Sequence, residues 1–101
     1  MATLQAYNYT DLMIAMQIPP EYCTGTLKVS FSPSSGIPVS VTTTDYDPAT
    51  GIVMASLTQT QSAGLHGIVG VQINGFLNSM RWASEIAYFQ CDNNLFEEVM
   101  S

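Results

Sequence analysis

Apolar side chains recur at every second position along this chain, in short runs cut by proline, glycine and asparagine. A period of two belongs to strands with one buried face, not to helices. From Asp11 to Ile18, the residues Leu12, Ile14, Met16 and Ile18 share one side, while Met13, Ala15 and Gln17 take the other. Pro19-Pro20 ends that strand, because neither residue can donate to a ladder. From Thr24 to Ser32, Leu27, Val29 and Phe31 form an inner face against Thr26, Lys28, Ser30 and Ser32. Pro33-Ser34-Ser35-Gly36 has the composition of a turn.

A third strand is predicted from Ile37 to Thr44, with Val39 and Val41 inward. The stretch Asp45 to Gly51 reads as a hairpin connection returning into a fourth strand, Ile52 to Thr58, with Val53, Ala55 and Leu57 on one side. Thr58 and Gln61 have capping-box spacing, and the nearby Gly64 leaves room for only a turn or two of helix. The fifth strand runs from Ile68 to Asn74 through Val69, Val71 and Ile73, and Asn74 to Ser79 makes the next bend. The sixth and longest strand is expected from Met80 to Cys91, with Met80, Trp82, Ile86 and Tyr88 on one face. The core anchors are therefore Leu27, Val29, Phe31, Val53, Leu57, Val71, Ile73, Trp82 and Ile86.

After Asp92 the period changes. Asn94 can cap a short helix, Glu97 and Glu98 suit its first turn, and Leu95/Val99 and Phe96/Met100 are i,i+4 pairs. The expected organisation is an N-terminal arm (1–8), a β-sandwich domain (9–92) and a helical tail (93–101). The fold class is all-β: an Ig-like antiparallel sandwich of six to eight strands with one or two short helical turns, or else an open barrel.

Of 101 residues, only Lys28 and Arg81 are cationic against eight acids, a net charge of −6. Two cations cannot neutralise a phosphate backbone, so nucleic acid is disfavoured, as is an anionic membrane surface. No run approaches the roughly 18 apolar residues of a membrane span. Residues 1–5 lack the charged and apolar regions of a secretory signal, so synthesis and assembly in a host cytoplasm are expected. In that compartment Cys23 and Cys91 are expected as packed free thiols. Thr, Ser, Gln and Asn supply the polar surface in place of ions. Neutral groups lose less than ions on leaving water, which suits a surface that becomes an interface.

Several segments resemble the immunoglobulin-like modules of tailed-phage virion proteins, nearest to the N-terminal domain of baseplate upper and tail-fibre adaptor proteins. An opening strand with an Asp matches Tyr9-Thr10-Asp11-Leu12-Met13-Ile14, and a glycine joint into a strand matches Thr24 to Phe31. The Asp-rich turn Asp45 to Asp47, the strand Thr50 to Thr58 and the alanine-bearing turn Gln61-Ser62-Ala63-Gly64-Leu65 fit the same pattern. Val69 to Gln90 resembles its final hairpin. The resemblance spans residues 9–92 and implies a sandwich with a virion role and no catalytic residues.

Chemistry is sparse elsewhere. His66, the single histidine, lies between glycines and reads as a surface turn residue. Cys23 has no cationic neighbour in sequence to lower its pKa. Asp45-Tyr46-Asp47 lacks the further ligands of a calcium loop. No enzyme activity, cofactor or metal is expected.

The partner-binding residues are expected at the chain ends: Leu4, Tyr7 and Tyr9, then Leu95, Phe96, Val99 and Met100. The partners would be other virion proteins of tail, baseplate or fibre. Capsid decoration is the first alternative, and a carbohydrate-binding module using Trp82 the second. Homo-oligomerisation is expected, with a trimer favoured.

Overall fold

The computed structural model describes residues 6–100. Its strands are β1 (Ala6–Tyr7), β2 (Leu12–Gln17), β3 (Leu27–Gly36), β4 (Val39–Thr43), β5 (Tyr46–Asp47), β6 (Ile52–Leu57), β7 (Leu65–Leu77), β8 (Met80–Ala83) and β9 (Ala87–Asp92). A 3₁₀ turn spans Pro20–Tyr22, and the one-turn helix α1 spans Gln59–Ser62. The large sheet has the order β1-β9-β7-β3-β4, with β8 also on β7, and the small sheet has the order β2-β6-β5. The chain is thus all-β and sandwich-like.

The alternation dictates the core. Leu27, Val29 and Phe31 of β3 and Val69, Val71 and Ile73 of β7 are buried. They face Val53, Ala55 and Leu57 of β6, and Ile18, Cys23 and Leu65 seal the ends. Each large apolar side chain so buried contributes about 1.5–3 kcal/mol. Leu12, Ile14 and Met16 point inward but stay half-buried, since β2 is the outer strand of its sheet.

Several expectations are corrected. Pro33 to Gly36 is not a turn but the end of β3, whose pairing with β4 stops at Phe31 while its ladder with β7 continues through a bulge between Pro33 and Ser35. A strand paired on one side only accommodates a proline. The Asp45 to Gly51 connection carries the chain from the large sheet to the small one, and the hairpin partner of β6 is the two-residue β5, not β4. The bend after the fifth strand is tighter than Asn74 to Ser79. β7 runs on to Leu77, and only Asn78 and Ser79 turn, both with positive φ (52° and 66°). That is a two-residue turn of type I′, whose twist matches that of the flanking strands.

The sixth strand is interrupted, and the interruption changes its inner face. β8 and β9 lie along the same edge of β7, with Ile73 and Gln72 spanned by Ser84, Glu85 and Ile86. One extra residue on the β8–β9 side is a β-bulge, and it reverses the side on which every later residue points. Trp82 therefore faces inward before the bulge, and Phe89 and Cys91 face inward after it. Ile86 and Tyr88 are 50% and 68% exposed, so Ile86 is not a core anchor.

Ser84 holds the bulge. Its hydroxyl accepts from Ile73 N (2.9 Å) and donates to Glu85 O, while its own N–H donates to Ile73 O (2.8 Å). Ser84→Ala leaves the Ile73 N–H without that acceptor and is expected to cost about 1–3 kcal/mol by urea denaturation.

Trp82, a half-buried anchor, lies opposite Gly75, where a β-carbon would come 2.9 Å from its Cζ2. The bare glycine is what lets the indole approach β7 this closely.

Both chain ends differ from expectation. The arm has a strand partner: Ala6 and Tyr7 pair in parallel with Cys91 and Asp92. Leu4 lies outside the described residues. Residues 94–100 are not helical. Seven residues gain too few hydrogen bonds to offset helix nucleation. Asn94 Oδ1 accepts instead from Phe96 N, two residues on, in a local turn. Thr58 and Gln61, by contrast, form both bonds of their capping box (3.2 and 2.9 Å).

Candidate docking surfaces

The C-terminal ribbon, residues 94–100, is held at both ends by side-chain amides. Asn8 is fully buried, and its Oδ1 accepts from Asn94 N (2.7 Å). At the far end, Gln59 of α1 accepts from Met100 N (2.7 Å) and donates to Met100 O (3.1 Å). Between these ties Leu95, Phe96, Val99 and Met100 are exposed, Leu95 completely (104%). The ribbon is therefore fastened by its backbone while its apolar side chains meet water. Four expected partner-binding residues are thus gathered on one strip.

The other terminal residues behave differently. Tyr7 is exposed in β1 beside the end of β9. Tyr9 is half-buried with φ 57°, in a turn where Thr10 Oγ1 donates to Tyr7 O (2.6 Å). Buried Ser62 Oγ donates to Thr10 O (2.6 Å) and accepts from Thr10 N (3.1 Å), tying this turn to α1. The Thr10 turn and Met100 thus converge on α1, a juxtaposition that no sequence spacing announces.

His66 belongs to this polar cluster and not to a surface turn. It is half-buried in β7, opposite Ser35. Its Nδ1 lies 2.7 Å from Asn93 Oδ1 and 3.3 Å from Asn8 Nδ2. These two amides hold the ring in place from either side of Nδ1. Amide partners hold a ring in place but supply no carboxylate to orient a catalytic base.

A second surface is the seam between β2 and the β8–β9 bulge. There β2 and β8 are each paired on one side only, and the groove has a volume of about 790 Å³. Ile18, Pro19, Tyr22, Trp82 and Ile86 supply apolar walls, and Glu85 is the charged residue of its rim. Tyr22 packs on Trp82 with ring centroids 4.8 Å apart. Trp82 Nε1 is buried without a hydrogen-bond partner. Trp82, in contact with Tyr22 and close to Gly75, is a wall of the seam.

No family model matches the chain, and neither does a curated protein or a solved structure. Function rests on the surfaces themselves.

Asp47 and Tyr46 have structural work. Asp47 Oδ1 accepts from Ala49 N (2.9 Å), and Asp47 O accepts from Gly51 N (2.8 Å), so this aspartate folds its own turn. Among the described residues, no three His, Cys, Asp or Glu side chains gather as a metal site. Tyr46, expected in a loop, lies half-buried in β5, and its hydroxyl donates to Gly25 O (3.0 Å). Cys23 and Cys91 are buried free thiols. Burial first, then Asp47 beside Cys23 and Asp92 beside Cys91, pushes both above the ordinary thiol value. Both stay protonated at neutral pH, which opposes a nucleophilic role.

Proposed function

We propose that this chain is a non-enzymatic structural subunit of a tailed-phage virion, placed in the tail, baseplate or fibre adaptor. It assembles by burying its apolar strip and low-charge faces against other virion proteins. The observation that carries this reading is the tethered ribbon. Leu95, Phe96, Val99 and Met100 are exposed on a backbone fixed at Asn8 and Gln59. A covering protein gains about 25 cal/mol for each Å² of apolar surface removed from water. Because the ribbon is already tied down, less ordering entropy opposes docking than for a free tail. The scarcity of ions on the remaining surface lowers the desolvation cost of broad contacts.

The test replaces Phe96 and Val99 together by serine. Neither side chain is part of the core, so urea denaturation is expected to change by less than about 1 kcal/mol. Incorporation into assembled particles, measured by quantitative mass spectrometry, is expected to fall at least about tenfold, equivalent to roughly 1.4 kcal/mol of lost contact. Undiminished incorporation overturns the role assigned to the ribbon.

A further inference from the structure

The fold brings the chain's only two cations together. Lys28 on β3 lies opposite Asn74 of β7, and Arg81 on β8 lies opposite Phe76 of β7. Arg81 Nη2 donates to Asn74 Oδ1 (3.3 Å), so the amide between the two cations holds one of them in place. Thr26, Gly75 and Phe76 complete an outward-facing groove of about 290 Å³. No acid among the described residues lines it, although acids outnumber bases eight to two in the chain.

The only adjacent acids, Glu97-Glu98, lie on the tethered ribbon. Exposed Phe96 and Val99 flank them, and exposed Phe76 lines the cationic groove. The two surfaces therefore match in charge and in apolar border.

Within one molecule the ribbon is tied away from the groove, at Asn8 and at Gln59. The start of the ribbon adjoins the beginning of β7, where Asn93 bonds His66. The groove lies at the other end of β7, around Asn74 to Phe76. About eight residues of strand, roughly 26 Å, separate them. We infer that the groove of Lys28 and Arg81 receives the Glu97-Glu98 ribbon of a second copy of this chain.

This contact rests on the assembly role proposed above and specifies one of its partners. It is heterologous, joining unlike surfaces, so successive copies close into a ring or extend as a filament. Exposed ion pairs contribute little singly. Here the apolar borders exclude water from the paired charges on docking, which strengthens them.

Charge reversal tests the contact in the full chain. Lys28→Glu with Arg81→Glu makes both surfaces acidic, and Glu97→Lys with Glu98→Lys makes both basic. Sedimentation velocity at low salt is expected to show the unaltered chain self-associating, and each double variant associating at least tenfold more weakly. An equimolar mixture of the two variants is expected to recover association, because each then offers the surface that the other has lost. Near-UV circular dichroism checks the fold, and if a reversal unfolds the chain, the neutral pairs Lys28→Gln/Arg81→Gln and Glu97→Gln/Glu98→Gln carry the same comparison. A monomeric unaltered chain, reversals without effect, or a mixture that fails to recover overturns the contact. Loss of this contact with normal incorporation into particles leaves the virion reading standing, whereas exclusion from particles with self-association intact removes that reading instead.

Discussion

Gly51→Ala is expected to unfold the protein or to cost about 4 kcal/mol or more, at the upper end of single substitutions. Gly51 sits at φ +83°, a conformation that a side chain opposes. A β-carbon there would also overlap Ile18 O. That oxygen is backbone, so it cannot move aside as a flexible side chain does. The same junction carries the Ile18 N to Gly51 O bond (2.9 Å) that fastens the end of β2 to the start of β6. Relief of the overlap separates these two strands and shifts Ile18 out of the core. Thermal and urea unfolding should both report the loss, whereas Gly25→Ala, where a β-carbon meets nothing within 4 Å, carries only the strain of its positive φ.

Asn8→Ala is expected to produce the second large effect, about 2–4 kcal/mol, from the loss of a buried polar hub. Asn8 has no exposed surface, and its Oδ1 is the acceptor for Asn94 N. Alanine removes that acceptor, leaves the Asn94 N–H without a partner and takes away the amide beside His66. Water can reach the ribbon more readily than the core, so part of the loss appears as local opening. Hydrogen exchange at Asn94 and Phe96 is expected to accelerate more than exchange at Val71 in the β3–β7 ladder. Equal acceleration at all three would mean that Asn8 supports the whole sandwich and not specifically the ribbon.

The sequence makes the strands legible where one face is buried and register is simple. Leu27, Val29 and Phe31, or Val53, Ala55 and Leu57, could hardly face any other way. It hides what depends on a single inserted residue. Nothing in the apolar pattern of Met80 to Cys91 announces that Ser84 will substitute its hydroxyl for a ladder acceptor, and that substitution is what turns Ile86 and Tyr88 outward. The ribbon is a similar case. Its i,i+4 apolar pairs have helical spacing, but Asn8 and Gln59, distant in sequence, capture its backbone first. Four of the expected docking residues nevertheless lie together on it. The cationic groove depends on pairing Lys28 and Arg81 to the same stretch of β7, which only the ladder registers reveal.

The most direct measurement of the central claim is an electron cryomicroscopy map of assembled particles at side-chain resolution. The account predicts this chain in the tail, baseplate or fibre adaptor with Phe96 and Val99 covered by another polypeptide. Particles that lack the chain, or that carry it with this strip facing solvent, would contradict it.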